Sequence, residues 1–359
     1  MLATLRVRAF YTNSLYGTAM KTLDMRSDTV TRPTPEMSAA MYDAAVGDDV
    51  YGEDPTTNRL EKLAAEIVGK EAALFCPSGT QSNLTALLTH CRRGDEYIVG
   101  QQAHTYKYEG GGAAVLGSIQ PQPLPFLENG CLDLEEVEKN IKDDDFHFAR
   151  TRLLCLENTQ GGLALPLDYL DDCNAFAAQH GLRLHLDGAR LFNAARKWDV
   201  PAERIAQCFD SVSICLSKGL GAPVGSLLCG DRSFIDEARR WRKVLGGGMR
   251  QSGYMAAAGI YALENNIFRL SEDQHNAEAL ARGLSGIDEL DVRYHDTQTN
   301  MVFITLPENS LAGLHVYLRQ RGIIIARGTQ VRLVTHLEID RKDIDFIVST
   351  FSEYYSKAH

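Results

Sequence analysis

The sequence predicts an α/β protein: a large domain on a mostly parallel sheet, followed by a small α+β C-terminal domain. Three observations carry that reading. From Leu60 to about Leu228 helix-like and strand-like segments alternate; after the glycine-rich GGGMRQSG (Gly246–Gly253) the alternation stops; and the apolar stretch SVSIC runs into a single lysine set against glycines, KGLGAPVG.

The alternation begins with EKLAAEIVGK as a helix and AALFCP as a strand, then TQSNLTALLTHC as a helix and EYIVG as a strand. It continues through the strand RTRLLCLEN, the helix LDYLDDCNAFAAQHG, and the strands LRLHLDGAR and DSVSICLSK. Strands separated by helices of this length pair in parallel through right-handed crossovers. Beyond Gly253 a helical stretch runs from Tyr254 to about Leu284, and DVRYHD, MVFITL, IIIARG and VRLVTH read as strands before a final helix from Arg341. Short strands without intervening helices predict an antiparallel sheet. The chain thus divides into residues 1–22, an N-terminal extension expected to be disordered; 23–45, a segment leading into the large domain; 46–255, the large domain; and 256–359, the small one. The extension has no acid before Asp24, as targeting segments do, but its apolar positions form no helical stripe. It reads as a frayed tail or an upstream start ahead of Met20.

Composition excludes several classes of function. Among 359 residues, 47 acidic against 37 basic give a formal charge of -10, which argues against nucleic acid or an anionic membrane as partner. No apolar run reaches the ~18 residues that span a bilayer. The eight cysteines are scattered with no C-x-x-C, so they read as reduced core thiols in a cytoplasmic compartment. Ten histidines include no H-E-x-x-H, and no metal is expected.

The chemistry is read from strand ends, since the carboxyl edge of an open α/β sheet is where ligands bind. Lys218 follows one buried strand and Asp187 ends another, 31 positions earlier, which leaves room for both to project into one crevice. A third element, FCPSGTQSN, turns at Gly79 into a helix starting near Thr80, with Ser78 before it; backbone amides at such a helix start bind phosphate. Taken singly, Ser78 and Thr80 are also capping residues, Asp187 a turn residue and Lys218 a snorkelling lysine. Together they match the demands of pyridoxal 5'-phosphate: a phosphate anchor, a counter-ion for the ring nitrogen and a Schiff-base lysine.

The segments LDMRSDTVTRPTPEM, VGDDVYGEDPT, PSGTQSN, AHTYKYEGGG, LHLDGARLFNA, SICLSKGLGAPVGSLL and WRKVLGGGMRQSG together resemble the low-specificity L-threonine aldolases (L-allo-threonine aldolases). These are pyridoxal-phosphate enzymes of fold type I, the aspartate aminotransferase-like fold. The likeness runs from about Leu23 to the end. It implies retro-aldol cleavage of L-threonine and L-allo-threonine to glycine and acetaldehyde.

Residue by residue, the resemblance implies that Lys218 links to the cofactor, Asp187 partners its ring nitrogen, and Ser78, Gly79 and Thr80 hold its phosphate. His104 matches the histidine stacked on the ring, and His147 a second histidine near the substrate side chain; the base stays unassigned between them. Arg190 and Arg332 match the arginines that bind the substrate carboxylate, with Ser27 assisting. Lys243 and Arg250 match residues that reach the cofactor phosphate region from a neighbouring subunit. That implies an obligate dimer or a homotetramer built as a dimer of dimers, with active sites at subunit interfaces. The same scaffold supports transamination, racemisation, β-elimination and serine hydroxymethyl transfer, because the cofactor supplies the electron sink and the site chooses the bond. A cofactor-binding protein without turnover fits poorly with a full set of carboxylate-binding arginines.

Overall fold

The computed structural model describes residues 21–357, so residues 1–20 of the expected extension lie outside the described residues. Twelve strands occur among them: β1 (Leu23–Asp24), β2 (Ala72–Cys76), β3 (Asp95–Gly100), β4 (Gln120–Leu124), β5 (Arg150–Glu157), β6 (Arg183–Gly188), β7 (Ser211–Cys215), β8 (Ser226–Gly230), β9 (Asp291–Arg293), β10 (Met301–Thr305), β11 (Ile323–Ile324) and β12 (Gln330–Val334). Seven form the large sheet, in the order β2-β8-β7-β6-β5-β3-β4. Only β8 runs against its neighbours, so the other six point their carboxyl ends to one edge.

Both faces of this sheet are covered, which explains why its central strands are apolar at successive positions. Alternate side chains sort to opposite sides. Ala73, Phe75, Ile98, Leu154 and Leu156 enter the main core, beneath helices Pro55–Val68 and Leu167–His180. Tyr97, Val99, Leu153 and Cys155 enter a second cluster with Leu84 and Leu87 of helix Gly79–His90. The helices stop where the sequence says they should: Asp54 caps Pro55–Val68 by accepting from the Thr57 N–H, and Gly69 ends it at φ 65°.

Two strands of the large sheet escaped the sequence reading. β4 is QPQPL, with two prolines and no β-branched residue, and such a segment is tolerated because it forms the edge of the sheet. β8 doubles back beside β7 after the glycine-rich turn and separates β7 from β2.

The small domain is an antiparallel sheet in the order β12-β10-β9, packed against helices Leu270–Leu284, Leu311–Gln320 and Arg341–Lys357. The stretch IIIARG is not part of that sheet. Its Ile323 and Ile324 pair in parallel with Leu23 and Asp24 instead. Met25, fully buried, donates its N–H to Ile324 O (2.8 Å) and accepts from the Val334 N–H (2.8 Å), so the chain start is woven into the C-terminal domain before it reaches the large one. The boundary at 255/256 also moves. Ala256, Ala258, Ile260, Ala262 and Leu263 of helix Gly253–Asn265 belong to the large-domain core, and the helical stretch breaks at residues 266–269, where the Asn266 amide donates to Leu220 O. No helix among the described residues is long and apolar enough to cross a membrane.

The Met25 side chain fills the small-domain core from the other end of the sequence. Met25→Ala is expected to destabilise the protein by about 2–5 kcal/mol, the usual cost of emptying a packed core position. Urea unfolding measures this, and a loss below about 0.5 kcal/mol, the size of an ordinary surface substitution, would show that the segment merely lies on the domain.

Candidate active site

Because six strands share a direction, their carboxyl ends gather residues that are far apart in the sequence. Ser78 follows β2, His104 follows β3, Glu157 ends β5, Asp187 lies in β6 and Lys218 follows β7. The half-buried Lys218 amine makes no hydrogen bond or ion pair among the described residues. It lies within electrostatic reach of Asp28, Glu157 and His104. Gly188, directly after Asp187, could not be larger: a Cβ there would stand 2.6 Å from the Ser213 carbonyl oxygen on β7.

Asp187 is 2 % exposed, and both its oxygens are held. Oδ2 accepts from the Asn83 amide (2.8 Å), and Oδ1 from the Ala189 N–H (3.1 Å). The same Asn83 nitrogen donates to Glu109 Oε1 (2.9 Å), and Glu109 Oε1 lies 2.8 Å from His104 Nδ1. The His104 N–H donates to Glu157 Oε2 (2.7 Å). The hydrogen bond to Glu109 raises the His104 pKa, against the opposing effect of burial. Burial, reinforced by Asp187, pushes Glu157 up to about 7, and burial also raises Glu109. The Glu109 hydrogen bond therefore makes the His104 imidazole more basic than a free one.

Ligand atoms of His104, Glu109 and Asp187 lie within 4.8 Å of one another, a grouping of the kind that holds metal ions. Here the Asn83 NH2 already bridges the two carboxylates. The residues fit pyridoxal phosphate instead. Three buried carboxylates favour a cationic ring nitrogen, and a free lysine stands one strand over. At the other end Ser78 caps helix Gly79–His90, its hydroxyl accepting from the Gln81 N–H (3.2 Å), while the Gly79 and Thr80 N–H groups have no acceptor among the described residues. A Cβ on Gly79 would meet nothing within 4 Å, so there is open space beside this turn, where unpaired helix-start amides can take a phosphate.

Arg190 is almost completely buried and forms a two-pronged ion pair with Asp28, Nε to Oδ2 at 2.8 Å and Nη2 to Oδ1 at 2.7 Å. Burial would raise the Asp28 carboxyl, but Arg190, aided by Lys218 and the Asn300 amide, brings it down to about 2. Arg332, on β12, is close enough to Arg190 for the two to repel, and has no ion pair among the described residues. Ser27 sits directly before Asp28, its hydroxyl accepting from the Thr29 N–H (3.2 Å) and hydroxyl (2.9 Å). Beside Arg332 opens a cleft of about 650 Å3 between the domains, lined by Gln102, Tyr108, Gln160, Arg293 and Gln298 among others.

Three predicted residues are not brought to this crevice. His147 lies in the 143–149 loop. It is 66 % exposed, with Nδ1 on Asp145 (2.6 Å). That loop precedes β5, so His147 sits at the opposite edge of the sheet, an eight-residue strand or about 26 Å from Glu157. Lys243 is exposed at the end of helix Arg232–Val244, and Arg250 pairs with Asp48 (2.9 Å) at the surface. The loop between them does rest on the phosphate-facing turn, since the Gln81 amide donates to Leu245 O (3.1 Å).

The sequence reading missed Asp28, Asn83, Glu109 and Glu157. Asn83 had a readable signal: it lies four residues after Gly79, on the same face of the helix.

Comparison with known proteins agrees with this geometry. The model of the β-eliminating lyase family matches residues 24–307. The low-specificity L-threonine aldolase of Escherichia coli K12 is 53 % identical over 335 residues, covering 93 % of this chain and all of the relative. Probable low-specificity L-threonine aldolase 2 of Arabidopsis thaliana is 45 % identical, covering 94 % of this chain and 98 % of the relative. Among solved structures, Leishmania major threonine aldolase superposes with a TM-score of 0.79 at 22 % identity (92 % of this chain, 99 % of that one). Sphingomonas wittichii serine palmitoyltransferase does so with 0.75 at 18 % identity (93 % and 87 %). The strand-end constellation and these likenesses agree: the chain belongs to the low-specificity L-threonine aldolase family, β-eliminating lyases of fold type I.

Proposed function

We propose that this protein is a pyridoxal-phosphate-dependent lyase that cleaves L-threonine and L-allo-threonine to glycine and acetaldehyde. The observation that carries the reading is the pairing of an unengaged Lys218 with a buried, clamped Asp187 on neighbouring strands, beside two guanidiniums that lack a second carboxylate. When bound, the cofactor supplies an electron sink for the bond that breaks.

The chain's residues do the rest. Gly79 and Thr80 offer N–H groups to the phosphate, with Ser78 fixing the turn. Lys218 would provide the amine that holds the cofactor, and Asp187 would keep a proton on its ring nitrogen. Arg190, Arg332 and Ser27 would orient the substrate carboxylate and so choose which bond breaks. His104, oriented by Glu109, would take the β-hydroxyl proton. His147, at the far sheet edge, reaches substrate only through a second subunit. Lys243 and Arg250 do likewise for the phosphate, as a homotetramer built from dimers requires. Apolar residues left open on the single chain support such an assembly, among them Tyr42 (86 % exposed), Tyr51 (75 %) and Phe146 (92 %). All eight cysteines are free and buried, in keeping with a reducing cytoplasm.

Acetaldehyde release tests the activity. Wild type should cleave both L-isomers and leave D-threonine intact, while Lys218→Ala should lose at least about a thousandfold in rate, the scale on which removing a covalent catalytic group acts. Equal rates for the two proteins would refute the assignment. For His104 the sign of the pH effect is fixed: its basic form exists above its pKa, which Glu109 raises. Glu109→Gln should therefore move the acid limb of kcat/KM to lower pH, and an unmoved limb would remove His104 as the base.

A further inference from the structure

Asn83 is 2 % exposed and donates from one nitrogen to two carboxylates, Asp187 Oδ2 and Glu109 Oε1. An amide that turns its NH2 toward two anions must turn its oxygen away, and there Oδ1 meets His185 Nε2 at 3.4 Å. The oxygen carries no proton, so His185 Nε2 must. Burial holds His185 neutral, its pKa down at about 3, which leaves Nδ1 bare. Nδ1, 2.8 Å from the Ser211 hydroxyl, accepts its hydrogen bond. Ser211 Oγ in turn accepts from His90 Nε2 at 2.7 Å, and burial likewise holds the His90 pKa at about 3. Each direction follows from the one before it. The two carboxylates turn the Asn83 NH2 toward them, and His185, Ser211 and His90 complete the series of contacts behind its oxygen.

We propose that Asn83 is the positioning residue of the site: held by the His90–Ser211–His185 relay, it fixes the Asp187 and Glu109 carboxylates against each other. It thereby couples the group under the cofactor's ring nitrogen to the group that sets the protonation of His104. The inference deepens the function proposed above and rests on Asp187 facing the cofactor ring. The charged or titratable groups around Asp187 are Glu109 and His104 after β3, Cys155 and Glu157 on β5, and His185 on its own strand. Without the bridging NH2, two carboxylates whose oxygens lie within 4.8 Å of a His104 ring nitrogen and of each other would face one another directly, and one would take up a proton.

The test uses the cofactor-loaded enzyme and two readouts besides turnover: the dissociation constant for pyridoxal phosphate, and the pH midpoint of the bound cofactor's absorbance. Asn83→Leu should weaken cofactor binding about tenfold and displace the midpoint, as loss of one charge-assisted hydrogen bond would. Should that variant fail to fold, His185 decides. A glutamine nitrogen can occupy the place of Nε2, so His185→Gln should behave like wild type, whereas asparagine reaches only the place of Nδ1, so His185→Asn should follow Asn83→Leu. Neutron diffraction of the wild type should find hydrogen on His185 Nε2 and none on Nδ1. Hydrogen on Nδ1 alone, or variants that lose thermal stability with affinity and midpoint unchanged, would overturn the inference. A wild type that binds no pyridoxal phosphate would overturn the cofactor reading instead, and the neutron result would still judge the relay.

Discussion

The Asp28 carboxylate is where three remote parts of the chain are tied together. It comes from the N-terminal segment, takes both prongs of Arg190 at the end of β6, and accepts from Asn300 (3.3 Å) at the start of β10 in the small domain. The carboxylate is fully buried, so its charge exists only because Arg190 stands beside it. Removing one partner of such a pair typically costs about 3–5 kcal/mol, because the other is left buried and uncompensated. The ion pair sets the relation between the domains, and with it the distance between Arg190 and Arg332.

That constraint leaves the site electrically unfinished. On the sheet side, Asp187, Glu109 and Glu157 press together, and burial raises two of them. On the small-domain side, Arg332 is crowded by Arg190 with no acid of its own. A ligand with a cationic ring at one end and a carboxylate at the other relieves both imbalances. Binding energy of this kind also stabilises the folded state, since the unfolded chain offers no such cluster.

What was legible in the sequence follows the same physics. Lys218, Asp187 and Ser78 could be read because strand ends in a parallel sheet share an edge, so position along an apolar run predicts position in space. Glu109 could not, for it lies in a glycine-rich turn, and only the packing of helix Gly79–His90 on the sheet brings it, through Asn83, to Asp187. His147 is the complementary case: its motif resembles a family residue, but a strand's beginning and its end lie on opposite edges, so within one chain it stands apart from the other candidates. IIIARG looked like one more strand of the small sheet because its apolar run is real; its partner is β1, from the other end of the chain.

The two arginines are not equivalent, and the asymmetry bears on how one bond is chosen among several. Arg190 is preset by Asp28, with Nε and Nη2 committed, so it can offer a substrate carboxylate little more than the remaining nitrogen. Arg332 is uncommitted apart from a long contact to Arg26 O (3.5 Å), and it rides on the small domain. A carboxylate arriving between them turns a repulsion into two attractions, and only with the small domain in place. Under the proposed function the contact that orients Cα thus spans the domain junction, and bond selection depends on that junction as much as on the residues at the strand ends.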